Sequence, residues 1–260
     1  MPPLPFTGPG ILWVTSKITS PEHLSESTYL AWYDDEHIPE ILTSTPVKSL
    51  FRFKNNDATA DRPYLVSCPL DDIADVKTFK GLKVKFDSLP DEEGKPGGSS
   101  HDCADLDYRF YQLIQKYEPN GGEATLGKTK TIATGGFDLS ETLTEQELND
   151  WYNKEHLTLL SRVPGYLRTT RYKLLLHRTN GDTRSLKGLP TRPQDQAATE
   201  NDRPPMFHAV HEFSVEEVDH EAAMKTIETE WAKKIFANAG KQEYTVYRHV
   251  KSFGDGKLFH

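Results

Sequence analysis

The sequence has little of what marks membrane, disulfide-linked or nucleic-acid-binding proteins. Its 260 residues include two cysteines, Cys68 and Cys103, too few for a disulfide framework or a cysteine-rich metal site. It has no uninterrupted run of 18 apolar residues, so no transmembrane helix is predicted. A net charge of −8 without any basic cluster argues against a phosphate-binding groove. We therefore expect a cytoplasmic protein with neither a nucleic-acid partner nor a membrane partner.

Motifs for the common cofactors are also missing. The chain has no Gly-x-Gly-x-x-Gly, no P-loop and no Gly-x-Ser-x-Gly, which argues against nicotinamide, nucleotide and serine-hydrolase chemistry. It lacks the His-Glu-x-x-His spacing of a zinc helix, and strand alternation directs His208 and His211 to opposite faces. Haem has no specific signal, although His156 is an axial candidate in principle. We predict neither a metal nor a cofactor.

One stretch of the sequence occurs twice, at a spacing of 119 residues. Leu30–Leu42 reads LAWYDDEHIPEIL, and Asn149–Leu160 reads NDWYNKEHLTLL. The matched pairs are Trp32 and Trp151, Tyr33 and Tyr152, Glu36 and Glu155, and His37 and His156. Because the spacing is about half the chain, the repeat predicts two fused copies of one domain and excludes a solenoid of short repeats.

The predicted elements repeat in the same order as this motif. Periodicity and turn residues indicate β-α-β-β-α-β in each half. Strands are predicted at 10–17, 48–54, 64–70 and 108–114, and again at 128–137, 166–177, 207–213 and 244–250. Helices are predicted from about 20 to 42, at 71–89, from a capping box at Thr144–Glu147 to 163, and at 215–238, with a turn at 179–182. The Pro-rich segment 183–204 is either a lid or a disordered loop.

These elements predict an α+β protein made of two ferredoxin-like units. We expect an N-terminal arm (1–9), a first domain (10–117), a linker (118–126), a second domain (127–253, with the insertion 183–204) and a tail (254–260). Each unit would form a four-stranded antiparallel sheet with both helices on one face. Packing of the two open faces predicts an intramolecular, pseudo-dimeric α/β barrel. Two independent domains are the alternative.

The doubled Trp-Tyr-x-x-Glu-His helix, the Val163-Pro-Gly-Tyr166 turn and the Arg171-Tyr172 pair together resemble the EthD-like family of dimeric α/β barrel proteins. The resemblance covers roughly residues 10–117 and 127–253. It implies a ferredoxin-like fold with a ligand cavity between sheet and helices. Members include cofactor-free oxygenases, polyketide cyclases, decarboxylases, isomerases and haem enzymes, and some have no known activity. The resemblance therefore implies a site but not one reaction.

The motif histidines are the candidate catalytic bases. His156 and His37 fall within or beside the apolar helix face, where burial favours the neutral imidazole. The candidate substrate-binding residues are Tyr152, Tyr33, Phe207, His211, Tyr247, Tyr64 and Tyr111. We expect the functional cavity in the second half, with His156 as base and His211 beside it. The alternative is that each histidine is structural, bonded to a backbone carbonyl or to a tyrosine hydroxyl.

The other matched positions of the repeat are assigned to structure. Trp32 and Trp151 are expected to anchor the core. Glu36 and Glu155 are expected either to lie on the surface or to form ion pairs between helix and strand, with Arg52 and Arg171 as the candidate partners.

These observations predict a cofactor-independent enzyme that acts on a small aromatic or polyketide-like substrate by His-mediated proton transfer. Cyclisation, dehydration, decarboxylation and isomerisation all fit this chemistry. The alternatives are a non-catalytic small-molecule binding protein and a cofactor-free or haem oxygenase. A monomeric barrel is expected, and further pairing into a homodimer stays open. The sequence determines neither the substrate nor the reaction, nor which of the two expected cavities is functional.

Overall fold

The computed structural model describes residues 6–81, 89–119, 121, 125–190, 192, 195 and 203–256. This part of the chain contains eight strands and eight α-helices. The strands are β1 (Gly10–Ile18), β2 (Ser49–Asn55), β3 (Tyr64–Leu70), β4 (Ala104–Tyr117), β5 (Thr131–Phe137), β6 (Tyr166–Arg178), β7 (Phe207–Phe213) and β8 (Gln242–Gly254). The α-helices are α1 (Glu26–Trp32), α2 (Ile38–Ser44), α3 (Ser100–Cys103), α4 (Glu145–Trp151), α5 (Leu157–Leu160), α6 (Asn180–Leu186), α7 (His220–Lys225) and α8 (Glu230–Asn238).

The strands are hydrogen-bonded in the order β1-β3-β2-β8-β5-β7-β6-β4, which closes into a barrel. In the first half, β3 pairs antiparallel with both β1 and β2, with Trp13 and Phe51 each opposite Ser67. In the second half, β7 pairs antiparallel with both β5 and β6, and β5 also pairs with β8. The predicted α+β barrel class is confirmed.

The chain forms two compact units that do not coincide with the sequence halves. Unit 1 comprises Met1–Tyr111, Leu175–Arg203 and Val250–Gly256, and unit 2 comprises Gln112–Leu174, Pro204–His249 and Lys257–His260. The strands β4, β6 and β8 each contribute residues to both units. The domain boundaries expected from the sequence, at 117 and 127, stay a prediction. The arm residues 1–5, the linker residues 120 and 122–124 and the tail residues 257–260 lie outside the described part.

The core of unit 1 lies between α1, α2 and one face of β1-β3-β2. Tyr29, Trp32 and Ile38 are buried there against Leu12, Val66 and other apolar strand residues. In unit 2, Leu148 and Trp151 of α4 and Ile235 of α8 are buried against Phe207 and Ala209 of β7. The expectation that Trp32 and Trp151 anchor the core is confirmed, since they are 3% and 1% exposed.

Several predicted helix boundaries were wrong. The first helix begins at Glu26 rather than near residue 20, because the Ser25 hydroxyl accepts a hydrogen bond from the Thr28 N–H at 3.1 Å. The predicted helix at 71–89 is a 3₁₀ helix over Ile73–Gly81, and residues 82–88 lie outside the described part. The predicted helix at 215–238 is two helices, α7 and α8, each with its own N-cap. Thr144 caps α4, as predicted.

The segment predicted as a turn at 179–182 is instead the start of a helix. Thr179 and Asp182 form a reciprocal capping box at the N-terminus of α6. Asn-Gly-Asp favoured a turn in the sequence, but the same Thr and Asp side chains also satisfy the free N–H groups of a first helical turn. The described part of the insertion 183–204 therefore begins within a helix. Its residues 191, 193–194 and 196–202 lie outside the described part.

Candidate functional site

The motif helix in the first half contains a π turn. Between α1 and α2, residues Tyr33–His37 form a wider turn in which the Ile38 N–H bonds to the Tyr33 carbonyl five residues before it. The sequence had predicted an uninterrupted α-helix. A π turn shifts the side chains after it relative to those before it, and such turns occur frequently at functional sites.

The π turn brings the His37 ring onto Trp32. The two rings stack with centroids 4.6 Å apart and planes 7° apart, and the Tyr33 ring meets the imidazole edge-on at 5.7 Å. Trp32 in turn packs against Tyr29 in the core. The imidazole is therefore oriented by aromatic packing.

The second copy repeats this arrangement closely. Residues Tyr152–His156 form a π turn between α4 and α5, and His156 stacks on Trp151 at 4.4 Å with planes 16° apart. Tyr152 meets His156 edge-on at 5.4 Å. The matched sequence motif therefore encodes a matched local structure, including the π turn that the sequence analysis did not anticipate.

Unit 1 contains a cavity of about 840 Å³ beside the first motif helix. His37 and Tyr33 line it, together with apolar side chains from β1, β2, β3, β4 and α2, among them Leu12, Val14, Ile41, Leu50, Val66, Leu106 and Phe110. The far wall is formed by Leu176, Arg178, Thr183, Leu186, Lys187 and Leu189, which belong to β6 and the α6 region. A cavity of this size and lining fits a small, largely apolar ring compound.

His37 is neutral and faces this cavity. Its Nδ1 is buried and has no hydrogen-bond partner among the described residues. Burial, followed by the positive charge of Lys187 and the proximity of His101, lowers the pKa of His37 to about 3. The residue keeps some exposed surface because its ring faces the cavity, although dense protein surrounds it. A structural histidine would have its nitrogens paired, so this arrangement favours a ligand-facing role.

Three polar residues that the sequence analysis did not select lie in or behind the cavity wall. His101 of α3 and Tyr108 of β4 line the cavity, and Asn180 of α6 is buried behind them. The His101 Nδ1 lies 2.7 Å from the Asn180 Oδ1, and the Tyr108 hydroxyl lies 3.4 Å from the His101 Nε2. Strand alternation gave a weak indication of Tyr108, because it places this residue on the same face of β4 as Leu106 and Phe110. His101 had none, because it comes from a segment without periodicity.

An ion network fixes α6 at the cavity wall. The guanidinium of Arg184, which is 1% exposed, donates to the Asp102 Oδ1 at 2.6 Å, the Glu92 Oε1 at 2.7 Å and the His101 carbonyl at 2.9 Å. Asp195 adds a further carboxylate at 3.2 Å. The part of the insertion that belongs to α6 is therefore helical and held against the cavity, and whether the whole segment 183–204 acts as a lid stays a prediction.

The second-half candidates also come together, around His156. His156 is 5% exposed, and its ring centroid lies 5.7 Å from that of His211. The His211 Nδ1 lies 2.8 Å from the Thr169 hydroxyl, which itself lies 2.7 Å from the Tyr166 hydroxyl. Burial lowers the pKa of His156 to about 4, against the opposing effect of a hydrogen bond to the backbone of Thr226. Like the His37 Nδ1, the His156 Nδ1 is buried and has no hydrogen-bond partner among the described residues. The His156 ring nevertheless interacts with the backbone of Thr226.

The remaining candidates are distributed over both units. Tyr152 lies beneath the Arg171 guanidinium, 3.8 Å from its ring centroid, and burial raises its pKa to about 12. Phe207 is buried in the core of unit 2. Tyr247 on β8 is buried opposite Ile132, and Tyr111 on β4 is fully buried. Tyr64 packs against Tyr29 at 5.6 Å and is not among the residues that line the cavity of unit 1.

Both candidate ion pairs of the motif glutamates were wrong. Arg52 pairs with Asp34, at 2.7 Å from Nε to Oδ1, and not with Glu36. Glu155 accepts a hydrogen bond from the Thr229 hydroxyl at 2.6 Å, and Arg171 donates to Asn149 and Gln115 instead. The π turn explains the change in the first half, because it alters which side chains of the helix face the strand.

Neither a metal cluster nor a membrane-spanning helix occurs in the described residues. In that part of the chain, no group of three or more His, Cys, Asp and Glu side chains converges as metal ligands would. Among the helices of the described ranges, none has the length and apolar character needed to cross a membrane.

Comparison with known proteins places the fold but not the family. No family model matches the chain. Core atranone cluster protein 1 from Stachybotrys chlorohalonatus (strain IBT 40285) is 25% identical over 207 residues, which cover 79% of this chain and 82% of that protein. A solved anthrone oxidase-like protein has 14% identity and a TM-score of 0.56 over 96% of this chain and 94% of its own.

The likeness to the anthrone oxidase-like protein shows a shared fold. Chlorite dismutase from Candidatus Nitrospira defluvii also matches, at 9% identity and a TM-score of 0.49 over 94% of this chain and 92% of that one.

Proposed function

We propose that the protein is an enzyme that binds a small, largely apolar ring compound in the unit 1 cavity and removes a proton from it with His37. One observation carries the proposal: His37 lines the cavity as a neutral imidazole whose Nδ1 has no hydrogen-bond partner in the described residues. The sequence analysis favoured the second half. His156 stays a candidate base there, but the hydrogen bond to the Thr226 backbone occupies part of its capacity.

The low pKa of His37 is compatible with this role. A base with a pKa of about 3 is weak in the empty cavity, mainly because burial disfavours the imidazolium. Proton transfer from the substrate creates an anion beside the ring, and an adjacent anion raises the pKa of an imidazole. The positive charges of Arg178 and Lys187, both in the cavity lining, also favour an anion there. Enolisable ketones and phenols are the substrates for which this pairing is productive.

The reaction proposed is cofactor-independent, of the cyclase, dehydratase, decarboxylase or isomerase type. Oxidation of the same carbanion by dioxygen is the second candidate, because the relatives include a protein named anthrone oxidase-like and one named for the atranone cluster. Polycyclic aromatic ketones are therefore the first compounds to test. We further propose EthD-like membership and a duplicated ferredoxin-like unit. This is supported by the matched strand orders β1-β3-β2 and β5-β7-β6 and by the two π turns.

The experiment is solvent exchange into the methylene group of anthrone, with oxygen uptake measured in parallel. In D₂O, the wild type is expected to accelerate deuterium incorporation, and His37→Gln to lose at least roughly 100-fold of that rate. His156→Gln is the matched control and should stay within a few-fold of the wild type. Oxygen uptake that requires His37 would select the oxidase, and exchange without uptake would select the non-oxidative class.

Two results would contradict this proposal. Loss of exchange in His156→Gln with retention in His37→Gln would move the site to the second half. Equal rates for the wild type and both variants across a panel of aromatic ketones would favour a non-catalytic binding protein.

A further inference from the structure

The side-chain amide of Asn180 has an orientation that its neighbours determine. Its Oδ1 lies 3.4 Å from the backbone N–H of Leu106, which can only donate. Its Nδ2 faces the Asp195 Oδ1 at 3.3 Å and the His101 carbonyl oxygen at 3.5 Å. The carbonyl oxygen can only accept a hydrogen bond, and so can the carboxylate of Asp195 while it is ionised. If the oxygen and nitrogen of this amide exchanged places, a donor would face a donor at Leu106, and an acceptor would face an acceptor at Asp195 and at His101.

The orientation of Asn180 determines the tautomer of His101. The His101 Nδ1 lies 2.7 Å from the Asn180 Oδ1, so Nδ1 carries the hydrogen and donates it. Burial is the main reason that the pKa of His101 falls to about 4, so the ring is neutral at pH 7. A neutral ring with hydrogen on Nδ1 has a lone pair on Nε2.

The His101 tautomer in turn determines what Tyr108 presents to the cavity. Its hydroxyl lies 3.4 Å from the His101 Nε2 and must donate to that lone pair. Burial keeps the pKa of Tyr108 well above its usual value, so the phenol is neutral. With its hydrogen directed at His101, the Tyr108 oxygen offers its lone pairs to the cavity that the residue lines. The chain Asn180–His101–Tyr108 thus ends in a hydrogen-bond acceptor.

We propose that Tyr108 is a specificity-determining residue that accepts a hydrogen bond from a hydroxyl group of the substrate, which makes that substrate a hydroxylated aromatic or enolic compound. The inference rests on the proposed function for the use of this cavity and names its substrate class. Arg178, whose positive charge acts on Tyr108, favours partial negative charge on the bound hydroxyl oxygen. A substrate without a hydroxyl hydrogen at this position would leave the Tyr108 acceptor without a partner.

The test compares two probes of similar shape, 2-naphthol and 2-methoxynaphthalene, of which only the first can donate a hydrogen bond. Titration calorimetry on the full chain is expected to show that the wild type binds 2-naphthol about tenfold more tightly. Tyr108→Phe should abolish this preference while its affinity for 2-methoxynaphthalene stays within twofold. Tyr244→Phe, the control at an exposed tyrosine outside the cavity lining, should keep the preference. Equal affinities in the wild type, no binding of either probe, or an unchanged preference in Tyr108→Phe would each overturn the inference.

A second measurement tests the hydrogen-bond chain without any ligand. The ¹⁵N chemical shifts of the His101 ring should identify hydrogen on Nδ1, and observation of hydrogen on Nε2 would overturn the inference. The outcomes also separate this inference from the proposed function. A naphthol preference in the wild type together with an unchanged exchange rate in His37→Gln would reject the catalytic proposal alone. A preference that is absent while His37→Gln still loses exchange would reject the Tyr108 inference alone.

Discussion

Buried neutral histidines distinguish this protein at the scale of single residues. His37 and His156 stack on tryptophans of their own helix, and His101 is enclosed with Asn180. A tryptophan face and an amide oxygen orient an imidazole, but burial makes its charged form expensive. Each imidazole is therefore both oriented and uncharged. This suits a group that exchanges a proton or forms a hydrogen bond with a ligand.

The same burial predicts loss of stability in mild acid. The pKa values of His37, His101 and His156 fall to about 3, 4 and 4 from 6.5. Below pH 6.5 the unfolded chain binds protons that the folded chain does not, so the free energy of unfolding decreases as the pH falls towards 4. Each histidine contributes at most about 1.4 kcal/mol per pH unit. Glu212 has the opposite effect on the free energy of unfolding. Burial raises its pKa from 4.5 to about 7, so between these pH values the folded chain keeps a proton that the unfolded chain has lost.

Urea titrations between pH 4 and 8 check this prediction. The wild type should have a steeper fall in stability below pH 6.5 than His37→Gln, and the two should run parallel above pH 7, where His37 is neutral in both states. Identical slopes in the acid range would show that His37 is not the desolvated group described above.

The helix α6 shows how a single element completes a cavity. It contributes Asn180 to the hydrogen-bond chain and Thr183 and Leu186 to the lining, while Arg184 ties it to Asp102 and Glu92. Few apolar side chains of α6 are buried, so we attribute its placement chiefly to Arg184. A buried guanidinium is stabilising only when its donors meet oxygen acceptors, and here they do.

Replacing Arg184 should therefore loosen α6 selectively. Arg184→Met leaves the carboxylates around it without their cation, and we expect a loss of roughly 3–5 kcal/mol in stability. Hydrogen exchange should rise most in Asn180–Leu186, and affinity for cavity ligands should fall with it. The exposed Arg162→Met is the control and should change stability by less than about 0.5 kcal/mol. Unchanged exchange in α6 of the Arg184 variant would show that other contacts position this helix.

At the scale of the whole molecule, the two halves of the sequence repeat one motif and one strand order. The two compact units do not coincide with these halves. The strands β4, β6 and β8 contribute to both units, so neither unit is one continuous half of the chain. The eight strands close into a barrel within one chain. Among the described residues, this closed order leaves none of the eight strands at a sheet edge that could pair with a second copy.

We therefore expect a monomer in solution. Sedimentation velocity at micromolar concentration should give one species of the chain mass, 29.5 kDa, without dependence on concentration. A species of twice that mass would show that a surface other than a sheet edge pairs two chains, and would favour the homodimer alternative.

The sequence by itself determined the elements that local chemistry specifies. The doubled motif, the strands β3 and β7 at their predicted bounds, the Thr144 cap and the core roles of Trp32 and Trp151 all follow from periodicity and capping, which depend on residues near one another in the chain. The pairing of His211 with His156 also followed, because strand alternation fixes the face on which His211 lies.

Only the tertiary structure decided where the cavity lies and which residues complete it. His101, Tyr108 and Asn180 come from three elements separated by up to 79 residues, so no local pattern connects them. The ion pair of Arg52 also became known only from the structure, which places Asp34 rather than Glu36 beside the guanidinium. The sequence placed two equivalent histidines on two equivalent helices. Non-local packing made them different, because it left His37 facing a cavity and gave His156 a backbone partner.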